Sequence, residues 1–332
     1  MAEITVVIPT YNGEKWITRC LDSLRAQTFR DFCVLVIDDG STDGTLRVIR
    51  EYQKNVPDLP IEVVLQSNSG VSRTRNRGIS MTTTAYITFM DQDDCCGPDY
   101  LKAYAAAMRD ENADIVCGGY ERLNESGKCQ RRVILGKDPW AKFVVVSPWA
   151  HLYRTAFLRE HEIGYLPTGI GEDVYFSLLA YAYTDRIVTI PDHAYFWMNN
   201  PQSVSNAKQD HVNAQADPFV LLDALDTHLP DNNRIPHEWM EYYLYRYIVW
   251  YLLYTVRHSP KSLVTSQYDR LLAWLTARYP TFKNNPNISL FRPAGEPLSI
   301  RASVFGFTLL YRLHLSLPVL QALSRRDEGD IR

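Results

Sequence analysis

The sequence has little net charge and no long apolar run. Its 35 Lys and Arg residues nearly balance 38 Asp and Glu residues, a formal charge of −3 over 332 residues. That removes any general electrostatic reason to bind nucleic acid. No stretch reaches the roughly 20 apolar residues of a membrane span; the nearest approach, Tyr242–Val256, is interrupted by Arg246. A chain that does not cross a membrane is expected. Met1-Ala2-Glu3 lacks the basic start of a signal peptide and runs straight into Ile4-Thr5-Val6-Val7-Ile8. The cysteines at 20, 33, 95, 96, 117 and 129 include no metal-type Cys-x-x-Cys pair, and a reduced, cytoplasmic setting is expected. Two common nucleotide sites are also missing. There is no Gly-x-Gly-x-x-Gly after the first apolar run and no Gly-x4-Gly-Lys-Ser/Thr anywhere.

What is present is a regular alternation. Apolar runs at Ile4–Ile8, Phe32–Ile37, Ile61–Leu65 and Ala85–Met90 predict strands. Helical spacing over Glu14–Gln27, Thr45–Gln53, Val71–Ser80 and Pro98–Arg109 predicts helices between and after them. Continuous rather than alternating strands predict an α/β fold with a parallel sheet covered on both faces. Asp114–Gly118 reads as a further strand, and Tyr120–Val133 as a hairpin or edge excursion. Helices are expected at Ala141–Val146 and Arg154–His161. A loop, Thr168-Gly169-Ile170-Gly171, precedes a helix running to Tyr183, and Arg186–Ile190 reads as a short strand. After Gln209 the pattern is helical throughout.

Polar residues gather at the carboxyl ends of the predicted strands, where open parallel sheets bind ligands. The first strand ends in Pro9-Thr10-Tyr11-Asn12; Tyr11 suits stacking on a base or ordinary packing. The second ends in Asp38-Asp39-Gly40-Ser41-Thr42-Asp43. Asp43 is placed as a helix N-cap, while Asp38 and Asp39 suit either a turn or hydrogen bonds to a base or ribose. After the third strand comes Asn68, then Arg73, Arg75 and Arg77. Residues two apart lie about 200° apart on a helix, so the three arginines cannot all face one site; Arg75 facing inward leaves Arg73 and Arg77 to solvent. The fourth strand ends in Asp91-Gln92-Asp93-Asp94. Three carboxylates this close need a cation or strong donors to stay ionised together, and a divalent metal shared with substrate phosphates supplies one. The alternative is a turn capping the next helix. Glu172-Asp173 after the Gly-rich loop offers a lone carboxylate pair or a charged helix start.

These segments, together with Arg75-Asn76, occur in the order and spacing of the family-2 glycosyltransferases, which the chain resembles over roughly residues 1–205. The resemblance implies a GT-A fold, a Rossmann-like mixed sheet flanked by helices, and an inverting hexosyltransferase reaction. It implies a catalytic domain at 1–207, with a nucleotide-sugar half at about 1–118 and an acceptor half at about 119–207, followed by a helical region at 208–332. It further implies that Pro9, Tyr11, Asp38 or Asp39, Asn68, Arg75, Asp91 and Gln92 hold a nucleotide sugar, with a UDP-sugar expected. Asp91 and Asp93 would bind Mn²⁺ or Mg²⁺ on the diphosphate, and Asp173 would be the general base. Asp94 has no assigned role. Trp149, Glu172 and Trp197 are acceptor or sugar contacts to test, His193 a residue near the metal, and Ser203 or Ser205 near the diphosphate. Relatives often carry a basic residue near Tyr195–Asn200, which this sequence lacks.

The implied setting is bacterial surface-polysaccharide assembly with a glycan or lipid-linked acceptor. Glu238–Arg257 is rich in Tyr and Trp and suits a core, an acceptor groove or a homo-oligomer contact. Ser299–Arg326 combines apolar residues with Arg301, Arg312, Arg325 and Arg326, a composition that suits an anionic membrane surface at the inner face of the cell membrane; Pro318 is expected to interrupt its helix. Two other readings stand beside this one. A sugar nucleotidyltransferase would ordinarily open with the Gly-rich phosphate loop that is absent here. A non-catalytic sugar-nucleotide-binding partner of another transferase would not need intact Asp91, Asp93 and Asp173.

Overall fold

The computed structural model describes residues 2–200, 217–256 and 259–324. It divides into two compact units, one formed by Met1–Asn200 with Pro218–Arg234 and the other holding Ile235–Arg332. The position 207/208 expected to separate the domains lies outside the described residues.

In the first unit Ile4–Thr10 (β1) is a central strand, paired along both edges and buried along its whole length. That is why its sequence is a continuous β-branched run. Ile17–Arg25 (α1), Phe32–Asp38 (β2), Thr45–Asn55 (α2), Ile61–Leu65 (β3), Val71–Met81 (α3) and Tyr86–Phe89 (β4) follow. Strand β1 pairs in parallel with β2 and β4, and β2 with β3. The chain thus winds outward from β1 to β3, then reverses to β4. Such a reversal opens a crevice at the carboxyl ends of the central strands, bordered here by the residues after Thr10 and Phe89.

Beyond β4 come Cys95–Cys96 (β5), Tyr100–Asp110 (α4), Ile115–Cys117 (β6), Tyr120–Leu123 (β7), Cys129–Val133 (β8), His151–Arg154 (β9), Thr155–Glu160 (α5), Glu172–Tyr183 (α6), Ile187–Thr189 (β10) and Tyr195–Met198 (β11). The parallel strands expected from the alternation are joined by β9, which enters between β4 and β6 antiparallel to both. The large sheet therefore runs β10-β6-β9-β4-β1-β2-β3 among the described residues, the mixed sheet of the GT-A type. Strand β9 takes the residue expected to open a helix, so α5 begins at Thr155. The helix expected at Ala141–Val146 is a single 3₁₀ turn, Ala141–Phe143. A smaller sheet runs β5-β11-β7-β8; it includes the predicted hairpin, β7 with β8.

One carboxylate clasps the end of the large sheet. Asp114, at the start of β6, accepts hydrogen bonds from Thr184 Oγ1 at 2.7 Å, Arg186 Nε and Nη2 at 2.9 and 2.5 Å, and Arg154 Nε at 3.2 Å. Although burial raises its pKa, these bonds outweigh that effect and hold the carboxyl below its ordinary value.

The helix Pro218–His228 (α7) belongs to this unit and meets α6, with Tyr175 Oη 2.7 Å from His228 Nδ1. The second unit contains His237–Tyr251 (α8), Lys261–Arg278 (α9), Leu298–Arg312 (α10) and Ser316–Leu323 (α11). On α8, Tyr242, Tyr243, Tyr245, Tyr247 and Tyr251 are buried, while Trp250 and, just beyond, Tyr254 stay exposed; Arg257 lies outside the described residues. Arg246 donates to the buried Glu296 at 2.9 and 2.7 Å. The break expected at Pro318 falls earlier. Helix α10 ends at Arg312, His314 adopts φ 59°, and Pro318 sits in the first turn of α11, where its missing N–H is no loss. Among the described residues no single helix is long and apolar enough to cross a membrane.

Candidate active site

The two strands that border the crevice are tied together by one amide. Gln92 Nε2 donates to the Tyr11 carbonyl at 2.9 Å, and the Tyr11 N–H donates to Gln92 Oε1 at 3.0 Å. The Tyr11 ring is left nearly half exposed beside this pair, while Pro9 is buried within β1, opposite Ile37 of β2.

The acids after β2 divide. Asp39 accepts from Gln66 Nε2 at 2.7 Å, the Ser69 N–H at 2.8 Å, the Gly70 N–H at 2.9 Å and Ser69 Oγ at 3.2 Å. Both its oxygens staple the β3–α3 loop, which carries the exposed Asn68. Asp38 gives one oxygen to the Ser41 N–H at 2.9 Å; its other oxygen accepts no bond among the described residues. Asp43 accepts from the Thr45 N–H at 3.0 Å and so satisfies the start of α2 from one residue before its N-cap, Gly44.

Helix α3 carries Arg75 inward. Gly78, one turn on, packs so tightly on β1 that a Cβ there would lie 2.5 Å from Val7 Cγ1; only glycine lets the helix sit this close. Arg75 shares that face and is buried, whereas Arg73 is exposed. Arg77 does not simply enter solvent as expected, but reaches Gln66 Oε1 at 3.0 Å. The Arg75 guanidinium forks between two acids, Nη2 at 3.0 Å from Asp91 Oδ1 and Nη1 at 3.1 Å from Asp173 Oδ1. It also lies 5.3 Å from the centroid of the Tyr165 ring. Tyr165 in turn stacks on Phe176 of α6 with centroids 4.0 Å apart, and its backbone is held at both N–H and carbonyl by Asn76. Asn76 thus serves the scaffold.

Asp173 reaches this point from the first turn of α6. The turn is made by Gly171 at φ 80°, a left-handed conformation that favours glycine. A helix start alone would lower a carboxyl pKa. Here burial dominates. With Glu172 and Asp91 adding like charge, it outweighs the lowering by Arg75 and pushes the Asp173 carboxyl up to about 8.

In the tetrad each acid has a different environment. Asp91 keeps Oδ2 unbonded among the described residues. Asp93 accepts from Asn200 Nδ2 at 2.8 Å through Oδ2 and keeps Oδ1; burial, then the nearby Asp91, raises its pKa. Asp94 faces inward, accepting from Tyr195 Oη at 2.6 Å and the Met198 N–H at 2.8 Å. Burial drives its carboxyl well above the ordinary range. It pins the β4 end to β11. The tetrad does not cap α4, whose N-cap is Asp99.

The aromatic residues form one cluster. Trp149 stacks on Tyr195 with centroids 4.7 Å apart and meets Tyr120 at 5.1 Å and Trp197 at 6.0 Å. Trp149 is buried and Trp197 half-buried, so Trp197 carries the accessible part of this wall. Glu172 is half-buried beside Asp173. His193 Nε2 lies 3.6 Å from Glu121. Ser203 and Ser205 lie outside the described residues. Sequence reasoning missed Asn200, Tyr165 and the role of Tyr195, because each acts on a residue far away in the chain.

The donor set defines which metal would fit. No group of three His, Cys, Asp or Glu side chains that could hold an ion occurs among the described residues. The tetrad offers one oxygen each from Asp91 and Asp93. Mg²⁺-type ions are commonly held by one or two carboxylates plus substrate phosphates and water. The residues therefore fit an ion completed by a diphosphate, and do not fit a cage made by protein alone. Arg75 Nε, buried without a partner among the described residues, is a further donor.

The sequence profile of glycosyl transferase family 2 matches residues 5–161. Glycosyltransferase GlyA of Streptococcus pneumoniae serotype 4 is 29% identical over 246 residues, 66% of this chain and 34% of that protein. The poly(ribitol-phosphate) beta-N-acetylglucosaminyltransferase TarS of Staphylococcus aureus strain Mu50 is 31% identical over 209 residues, 59% of this chain and 35% of that protein. The chain spans about a third of the length of these two curated relatives. The crystal structure of S. aureus TarS 1–349 in complex with UDP-GlcNAc matches with a TM-score of 0.70 at 21% identity, over 95% of this chain and 92% of that one, a likeness of fold. Residues 5–161, from β1 to α5, thus carry the profile of glycosyl transferase family 2, and the chain has a GT-A fold.

Proposed function

We propose that this chain is an inverting, metal-dependent glycosyltransferase that moves a sugar from a UDP-sugar to a glycan or lipid-linked acceptor. The observation that carries the reading is the Arg75 fork, which joins the acid at the end of β4 to the acid at the start of α6. One guanidinium thereby fixes the distance between a donor-side carboxylate and a carboxylate suited to proton removal.

In this reading Tyr11, Asp38 and Asn68 receive the nucleoside, with Asp39 and Gln92 holding the loops that shape the pocket. Asp91 and Asp93 face the diphosphate. When bound there, Mn²⁺ or Mg²⁺ neutralises charge building on the departing diphosphate. Asp173 accepts the proton of the acceptor hydroxyl as that oxygen attacks the anomeric carbon from the face opposite the nucleotide. A carboxyl raised toward 8 suits that task near neutral pH. Trp197, with Trp149 behind it and Glu172 on the other side, walls the sugar or acceptor. TarS, a relative, is named for transfer of N-acetylglucosamine to poly(ribitol-phosphate), which makes UDP-N-acetylglucosamine and polymer acceptors the first to try.

The test is a thermal-shift and hydrolysis screen of UDP- and GDP-sugars with Mn²⁺, repeated on Asp173→Asn. Stabilisation by a UDP-sugar with slow metal-dependent hydrolysis is expected. Asp173→Asn should keep nucleotide binding and lose about 10²–10⁴-fold in turnover. No stabilisation by any nucleotide diphosphate, or near-full turnover in the variant, overturns the reading; stabilisation by a nucleotide sugar with no turnover at all would favour a non-catalytic binding partner.

A further inference from the structure

Helices α10 and α11 meet at a bend of 116°, and both present apolar rows to solvent. On α10, Leu298, Ala302, Phe305 and Leu309 recur at i, i+4, i+7 and i+11, all exposed. That spacing defines one helix face. Leu315, the N-cap of α11, and Val319 and Leu323 within it recur at i, i+4 and i+8, all exposed, and the exposed Leu313 lies between the two rows in the chain. More than half of the exposed large apolar side chains among the described residues lie from Leu290 onward. Contiguous apolar surface of this kind marks an interaction site.

Charge says what covers it. From Pro297 to Ser324 the sequence has no Asp or Glu. At the bend lies a cavity of about 570 Å³ lined by Lys283, Arg312 and His314 with Tyr268, Leu317 and Pro318. Arg312 donates to the Lys283 carbonyl at 2.5 Å and to Asn284 Oδ1 at 3.2 Å, and neither cation meets a carboxylate among the described residues. A second copy of the chain would bring the same cations to this face, whereas a phospholipid surface brings phosphates. Helix α10, at 15 residues, is about 22 Å long, too short to span a bilayer core and suited to lying in its surface.

We propose that the α10–α11 face docks on an anionic phospholipid surface, apolar rows inward and a lipid phosphate in the cavity between Lys283 and Arg312. This goes beyond the transfer reaction and does not depend on it.

Co-sedimentation of the full chain with phosphatidylcholine vesicles, with and without phosphatidylglycerol, tests the proposal. The chain should pellet with the phosphatidylglycerol vesicles, and added salt should weaken this binding. Phe305→Ser combined with Leu309→Ser should weaken it at least about tenfold, and Lys283→Glu several-fold. All three residues are exposed, so an unchanged melting temperature would check that the variants fold. Equal binding to neutral vesicles, or full binding by the double variant, overturns the proposal. So does stabilisation by free glycerol phosphate without vesicle binding, which would make the cavity a small-anion site. A dimer that the double variant disperses would assign the face to a second copy instead.

Discussion

The Asp173 carboxylate stands 3.1 Å from Nη1 of Arg75, whose other terminal nitrogen is 3.0 Å from Asp91. Two acids contributed by different elements, α6 and the end of β4, are thus held by a single cation from α3. This couples the base proposed for proton removal to the acid proposed for the donor diphosphate, and it sets the terms of the predictions that follow.

The first concerns pH. A base works only when unprotonated, so a carboxyl raised to about 8 by burial places the acidic limb of kcat/KM near neutrality instead of near pH 4. Activity should fall about tenfold per unit below that limb. A pH–rate profile with saturating metal checks it; a limb at ordinary carboxylate pH would show that Asp173 is not the titrating base.

Arg75 is the group that lowers the Asp173 pKa. Arg75→Ala should therefore move the limb further alkaline and cut kcat/KM at neutral pH by about tenfold or more. Arg75→Lys should rescue only part of this, since an ammonium cannot fork between two carboxylates as a guanidinium does. The shift in profile separates this effect from simple loss of fold.

Asp93 and Asp94 are neighbours with opposite expectations. Asp93→Asn should weaken the dependence on Mn²⁺, because Asp93 keeps an oxygen available. Asp94→Asn should leave that dependence in place and lower stability instead. Asp94 accepts from two donors, Tyr195 and Met198, and an Asn oxygen side replaces only one of its two acceptor atoms, at a cost of about 1–3 kcal/mol. Metal titration of hydrolysis and urea unfolding measure the two effects.

The Asp114 clasp gives a pH-dependent stability. Its carboxyl is held below the ordinary value by Arg186, Thr184 and Arg154. The sign follows: the unfolded chain takes up a proton first as pH falls. The contribution is complete above the ordinary carboxylate pKa and is lost as pH drops through the lowered folded value. Asp114→Asn should cost about 1.5–3 kcal/mol at neutral pH and progressively less in acid, as read by urea denaturation across pH.

Much of the donor side was legible in the chain itself. Strands β1, β2 and β4 are buried nearly throughout, so their runs are continuous and their carboxyl ends fall where Tyr11, Asp38 and Asp91 stand. Helical periodicity alone set Arg75 on the face opposite Arg73 and Arg77, and burial selects Arg75. The rest depended on pairings between distant segments, which leave no local periodicity. Strand β9 is four residues long and takes its place by pairing with both β4 and β6. The tetrad reads as three similar acids until β11 arrives to take Asp94, 101 residues from Tyr195. Asp39 reads as a free acceptor until the β3–α3 loop closes over it. Asp173 at a helix start reads as a weak base, because the sequence shows the helix and not the burial. The chemistry of each side chain was set by its identity. Its protonation and its partner were decided in the tertiary structure, where desolvation and one shared guanidinium outweigh the local field.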